Sequence, residues 1–376
     1  MSFRAQCGTC LAKYQVRKSL EKKFKKAPEA FTRQQCKATV LRTKVAGIKY
    51  VIYIKEESMK KVLGFACAAL VAGTTAMVSP VFAEDAKPAS VTGYVQAGYT
   101  YNMNTPASQE NGFRVFDHKA DSFGLDLAQI VVSKDAAGVG YKIKVSAGET
   151  AKWIHSRGLS GAPLFDSNGD AVAQAGQDTD SFDITEAFVT YTAPIGKGLK
   201  FDFGKFVTYH GAEVIEAKDN VNYSRSLLFN YAIPFTHTGL KMTYAFADAL
   251  SASVHVVNGW DNSDDNNTGK TVGLVVYLAP VEMFSAYINY MAGPEQDNNV
   301  SNTRSLIDVV ATIKPIKPLS IILNYDTATE ETGPATADVK WNGIAGIVKY
   351  DISDKYSISV RAEQFGEMLD ERGVKD

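Results

Sequence analysis

No cysteine follows Cys67 in this chain of 376 residues, and all four (Cys7, Cys10, Cys36 and Cys67) lie near its start. Whatever folds beyond them does so without disulfides and without a thiolate metal site. A long apolar run is missing too. The nearest, Val62–Val78, is diluted by Gly64, Gly73, Thr74 and Thr75 and falls short of the ~20 apolar residues a membrane helix needs. From Ser90 onward the 3.6-residue period is almost absent. Disulfide scaffolds and helical membrane bundles are thereby excluded.

What is present begins at "MKKVLGFACAALVAGTTAMVSPVFAED" (Met59–Asp85). Lys60 and Lys61 give a positive start, an apolar stretch follows, and Val81-Phe82-Ala83 offers small residues ahead of Glu84 and Asp85. That order is a secretory signal peptide over 59–83. A lipoprotein reading through Cys67 fails because Gly64-Phe65-Ala66 is a poor match to the required box. Residues 1–58 carry 14 Lys/Arg against 4 Asp/Glu without a clear period, and are expected to be a non-native upstream extension. Lys55-Glu56-Glu57 can be encoded by a purine run resembling a ribosome-binding site ahead of Met59. The alternative, a basic zinc or nucleic-acid module on Cys7 and Cys10, has Cys36 but lacks a fourth ligand.

Beyond residue 83 the chain holds 24 Lys/Arg against 37 Asp/Glu, a charge of −13. Such an acidic segment is not a nucleic-acid binder; a mild cation preference follows from the net charge, although the field at a constriction matters more. No Pro/Ser-rich linker divides residues 84–376, which read as one domain.

That domain alternates with period two. In "VGYKIKVSAG", Val139, Tyr141, Ile143 and Val145 oppose Lys142, Lys144 and Ser146. "FGLDLAQ" sets Phe123, Leu125 and Leu127 against Asp126; "TGLKMTYAF" and "YSISVRAE" behave alike. Thirteen such runs fall near 91–103, 123–134, 139–148, 181–193, 199–207, 236–247, 250–259, 270–279, 282–291, 304–314, 319–327, 339–352 and 356–365. Most approach the 9–11 residues of a tilted membrane strand. Their connections alternate short ("KDAAG", "PIGKG", "PVE", "SDK") and long (104–122, 149–180, 208–235, 260–269, 292–303, 328–338), as in outer-membrane barrels with short periplasmic turns.

The expected fold is all-β, a transmembrane antiparallel up-and-down barrel. A bilayer-spanning sheet must pair every backbone group and so must close. Its polar face then lines the lumen, which assigns Asp126, Lys142, Lys144, Lys241, His255 and Arg361 inward, since a midplane Lys or Arg on the lipid side costs about 2–4 kcal/mol. Trp153, Trp260 and Trp341 all fall at the outer rim, where an aromatic girdle is expected. Thirteen is odd while bacterial barrels are usually even, so the complete protein is expected to have 14–16 strands, with this chain truncated at its C-terminus.

The stretch 201–244 contains Gly204-Lys205-Phe206, Glu213-Val214-Ile215, Asn222-Tyr223-Ser224-Arg225-Ser226 and Pro234-Phe235-Thr236-His237-Thr238-Gly239. It resembles the OmpL-like bacterial β-barrel porins (porin-2), and the likeness continues more loosely over 91–365. The resemblance implies an outer-membrane channel for small hydrophilic solutes with no catalytic residues and no cofactor. Implied partners are outer-membrane lipid and lipopolysaccharide, the barrel-assembly machinery and, trimers being common among porins, a homotrimer.

Within loop 208–235, Glu213, Glu216, Lys218, Asp219 and Arg225, with Lys205 before it, are candidates for a pore constriction, because rings of charge set selectivity; the alternative is a surface loop held by local ion pairs. Arg225 is the expected partner for a carboxylate of the loop. His210 and His237 read as structural hydrogen-bonders. A hydrolase would need Ser224 or Ser226 paired with His237 and an orienting group. "DSNGD" (166–170) and "DNSDDNN" (261–267) read as solvated loops, and no metal site is expected. A non-conducting barrel used for anchoring or adhesion is the alternative function.

Overall fold

The computed structural model describes residues 2–7, 10–15, 38–45, 48–55, 88–135, 138–160, 164–165, 171–172, 181–333 and 338–369. The chain forms two compact units, Met1–Glu84 and Asp85–Asp376. The first contains two hairpins, Ser2–Cys7 with Cys10–Gln15 and Ala38–Val45 with Ile48–Lys55, where the sequence had shown no clear period. The export segment 59–83 and the "DSNGD" run lie outside the described residues.

The second unit, which also holds a separate two-stranded ladder of Leu164–Phe165 and Ala171–Val172, is built on one antiparallel sheet of thirteen strands in strict chain order. They are β1 (Ser90–Thr100), β2 (Ser122–Lys134), β3 (Val139–Ala147), β4 (Phe182–Ala193), β5 (Leu199–Val207), β6 (Thr236–Ala247), β7 (Leu250–Val257), β8 (Thr271–Val281), β9 (Phe284–Gly293), β10 (Arg304–Ile316), β11 (Leu319–Glu330), β12 (Val339–Ser353) and β13 (Tyr356–Leu369). Every run read from the alternation is a strand, and each strand pairs with its chain neighbours. Among the described residues β1 and β13 are edge strands without a pairing to each other.

The two faces are inverted relative to a water-soluble sheet. Leu274, Ile288, Ile307, Leu323 and Ile344 are 43–52% exposed, while Asn289, Asp308 and Asp326 on the other face are 0% exposed. An apolar belt of that extent in water would drive association; against lipid chains it needs no cover. The structure thus turns the side chains outward as the sequence's period required, except at two bulges, one in β4 where adjacent Thr185 and Glu186 are both buried and one in β2. A register shift opposite Gln96 and Ala97 breaks the alternation in β2. Asp126 and Gln129 both lie on the buried side, and Leu127, expected outward with Phe123 and Leu125, is fully buried.

The inner face is not uniformly wet. At the long-loop end its apolar residues Val257, Met291, Leu306, Ala328 and Ala345 join a core with Val115 and Phe116 from the first long loop, Ile154 from helix α1 (Glu149–Ser160), and Ile215, Leu228, Phe229, Ile233 and Phe235 from the loop after β5. The strands therefore carry two apolar surfaces, one facing out and one gripping the loops. Two glycines let β5 and β6 lie close against their neighbouring strands. Gly204 (φ +138) and Gly239 are register partners, and a Cβ on Gly239 would lie 2.3 Å from the Val256 carbonyl oxygen.

Candidate functional site

The loop between β5 and β6 is closed at its base, where the Thr208 N–H donates to the Phe235 carbonyl at 2.8 Å. Its interior carries a 3-10 turn, Ala217–Asp219, and a π-helical turn, Leu228–Ala232. Between these points the backbone crosses the inner side of the sheet and is tied to strands far apart in the barrel. On one side the Gly211 N–H donates to Asp308 Oδ2 (2.8 Å) and the Ala212 N–H to Asn324 Oδ1 (2.9 Å). Farther round, Trp341 Nε1 donates to the Ala232 carbonyl (3.1 Å), and the Leu227 N–H to Glu363 (2.7 Å). On the other side Glu216 Oε1 accepts from Lys144 (2.7 Å) and Gln129 (2.8 Å). β2 and β3 at one end and β10 to β13 at the other hold one inserted segment.

The expected constriction residues fall into distinct environments. Glu213 Oε1 pairs with Arg361 at 3.2 Å and its Oε2 accepts the Ser226 N–H at 2.7 Å. Burial pushes the Glu216 carboxyl up, but the Lys144 ammonium and the Gln129 amide outweigh it and hold it below the ordinary carboxylate range. Lys205 reaches Asp183 at 3.0 Å. Lys218 and Asp219 pair with each other and are about half exposed, 47% and 53%, with the Lys218 ammonium 5.5 Å from the Tyr94 ring. They are the exposed charges of the insertion.

Arg225 departs from expectation. Its side chain is 1% exposed, and its guanidinium donates to the backbone carbonyls of Tyr223 and Ile215 while lying 4.7 Å over the Phe116 ring. The arginine that grips the loop carboxylate is Arg361, which also donates to the carbonyls of Ser224 and Arg225. The reason is reach. Arg225 sits inside the insertion, where carbonyls left unpaired by irregular backbone need donors, and Glu213 faces the wall.

The six residues assigned to the lumen are all on the inner side. Asp126 accepts from Gln96 and Tyr223; Lys142 and Lys144 meet Glu186 (2.7 and 2.8 Å); Lys241 meets Asp202 (3.0 Å); and His255 is 0% exposed, 2.9 Å from Ser253 Oγ. The tryptophans do not form an outward girdle. Trp260 is buried in the loop core, Trp153 and Trp341 pack against it, and Trp260 and Trp341 meet edge-on at 6.1 Å. They are at the rim by height but point inward, because the insertion offers apolar surface and, for Trp341, a carbonyl that accepts the indole N–H.

At the loop base His237 is the structural hydrogen-bonder expected, whereas His210 is buried with no hydrogen bond to either ring nitrogen and is held by packing. His237 contacts Thr208 Oγ1 (3.1 Å) and the Gly259 carbonyl (3.1 Å), and the Tyr209 ring lies 4.4 to 5.3 Å from both imidazoles. Burial, then the neighbouring His237 and His255, hold the His210 imidazole well below its ordinary pKa. Ser224 accepts from Arg361 and Ser226 from the Phe229 N–H, so neither hydroxyl is set against His237. In "DNSDDNN", Asp261 accepts the N–H groups of Phe235 and Thr236 at 2.6 and 2.8 Å and closes the end of the insertion.

Sequence reasoning missed Asp308 and Asn324 as anchors, and Asp326 beside them, which accepts from the Asn324 amide. The signal was present: "SLIDVVATI" and "SIILNYDTAT" each place a carboxyl at mid-strand on the inward parity, and an ionisable group within a membrane-spanning segment marks a functional position by default.

The family described as "Putative beta-barrel porin-2, OmpL-like" matches residues 88–374. No curated protein sequence matches the chain. Among solved structures, the outer-membrane-expressed OmpT of Vibrio cholerae is similar at 14% identity over 76% of this chain and 78% of that one, TM-score 0.48. The in-vitro folded OmpT of the same organism, in trimer form, is similar at 14% identity, 76% and 79% coverage and TM-score 0.46. The outer membrane channel DcaP of Acinetobacter baumannii is similar at 14% identity, 75% and 92% coverage and TM-score 0.37.

Proposed function

The chain belongs to the OmpL-like β-barrel porin-2 family of bacterial outer-membrane proteins, and from that premise we propose that it forms a water-filled channel for passive diffusion of small hydrophilic solutes and ions. The observation that carries this reading is the segment 208–235, tied across the inner face from Lys144 to Arg361 with the Lys218–Asp219 pair in water. A segment held that way narrows a lumen and puts its own charges on the path. Lys205, Glu213, Glu216 and Arg225 then act as its frame, and Lys218 and Asp219 as the charges a solute meets. The protein works without a catalytic group or cofactor, as a homotrimer in lipid and lipopolysaccharide, delivered by the export signal 59–83 and the barrel-assembly machinery. Residues 1–58 are no part of the mature molecule.

The test is single-channel conductance of the refolded protein in planar bilayers. Discrete, voltage-independent steps that scale with salt are expected. The apolar cluster around Phe229 and Phe235 favours a second reading, a barrel plugged by its own loops and used for anchoring. Zero conductance from folded, heat-modifiable protein would establish that reading instead.

A further inference from the structure

Lys142, Lys200 and Lys241 lie on β3, β5 and β6, on the inner face of the short-turn half of the sheet. Their register fixes this: Lys241 is opposite Asp202 and His255, Lys200 is opposite Thr243, and Lys142 is opposite Phe188. The Lys241 ammonium leans to 5.9 Å from the Phe188 ring, toward the strand that Lys142 flanks. The three amines share one stretch of wall.

Each amine is paired with a carboxylate, and the two members of each pair differ in what they show to water. The Glu186 side chain is 4% exposed and that of Asp202 is 1%, whereas Lys142 is 35%, Lys200 48% and Lys241 26% exposed. The carboxylates sit behind the amines and accept from them: Lys142 at 2.7 Å and Lys144 at 2.8 Å on Glu186, Lys241 at 3.0 Å and Lys200 at 3.5 Å on Asp202. Lys144 is buried and shared with Glu216. Four lysines therefore face three acids, and the surface left for a solute is positive. Elsewhere on the same half, Ser251, Tyr277, Tyr287, Thr312 and Ser320 are uncharged by type, and Lys349 and Asp351 on β12 pair with each other at 2.8 Å.

We propose that this wall is an anion-binding site, taking small solutes with carboxylate or phosphate groups, and that the channel prefers anions although the chain beyond residue 83 is acidic. Local wall charge within a Debye length governs a narrow passage, and distant loop carboxylates are screened. Ammonium groups anchored by buried acids hold their positions and keep protons free for a ligand. The inference rests on the channel reading for its transport part; the binding part stands on the wall alone.

The deciding variant is K142Q/K200Q. It leaves Lys144 on Glu186 and Lys241 on Asp202, so neither buried carboxylate is stranded. In bilayers under a potassium chloride gradient the wild type is expected to show a reversal potential of chloride-preferring sign, and the double variant a shift toward potassium. Citrate binding to the folded protein, measured by calorimetry in detergent, is expected to weaken about tenfold in the variant. A potassium-preferring wild type, an unshifted variant, or equal citrate binding overturns the proposal. Absent current with citrate binding lost in the variant removes the channel reading and leaves the anion site.

Discussion

Arg361 shows what a single side chain contributes here. The alternation in "YSISVRAE" makes it legible as an inward charge, but its partner Glu213 lies 148 residues away, and no local pattern could announce that pair. Arg361→Ala leaves the Glu213 carboxylate without its cation and the Ser224 carbonyl without its donor, while the Arg225 carbonyl keeps Arg114. Breaking a buried pair from one side costs about 3–5 kcal/mol, so the temperature at which the compact gel band is lost should fall sharply. Arg361→Lys, which keeps charge but not the fork, should lie between. Equal transitions for all three proteins would contradict the assignment. Glu295, in the loop after β9, makes a pH prediction. Burial raises its carboxyl from 4.5 to about 7, despite the opposing Arg304 and the donors Thr271 and Trp260. Below pH 4.5 both folded and unfolded chains hold the proton; between 4.5 and 7 the folded chain alone does. Rising pH therefore removes stability across that window, on the order of 3 kcal/mol. His210 works in the opposite sense, because its depressed imidazole pKa withdraws stability as pH falls below 6.5. The comparison with Glu295→Gln isolates the carboxyl: on going from pH 5 to pH 8 the wild type should lose stability relative to the variant, and an identical pH response in the two proteins would contradict this account.

At the scale of elements, the strands were legible and the loops were not. Period two survives because each strand faces lipid on one side, and that constraint acts residue by residue. The exception at Leu127 comes from a bulge, which has no signature in the alternation. Helix α1 also escaped notice. Its buried contacts, Ala151 and Ile154, form a stripe too short to register as a period, and "ETAKWIHSRGLS" includes a glycine. The inward turn of the tryptophans was equally hidden, since sequence gives their height in the barrel but not the apolar insertion they pack against. In the proposed channel, loop 208–235 is the element that narrows the passage. Replacing residues 212–232 by a short Gly/Ser linker removes no strand pairing, so the barrel should fold, and its conductance should rise severalfold. A variant that folds but conducts like the wild type would show that the insertion does not limit flow.

For the whole molecule the governing fact is the inverted sheet: apolar residues out, charges and amides in. An acidic chain with lysines on its inner wall is consistent with that division, because the net charge is carried by loops rich in Asp and Asn while the wall is set strand by strand. The segment beyond residue 83 has no cysteine, which allows a direct test of which face is wet. Single cysteines at Ser251 and Ser320, on the inner face, and at Val254 and Leu323, on the outer face, can be exposed to a membrane-impermeant maleimide in reconstituted vesicles. The account predicts rapid labelling at Ser251→Cys and Ser320→Cys and protection at Val254→Cys and Leu323→Cys. Protection at the first two with labelling at the last two would contradict it.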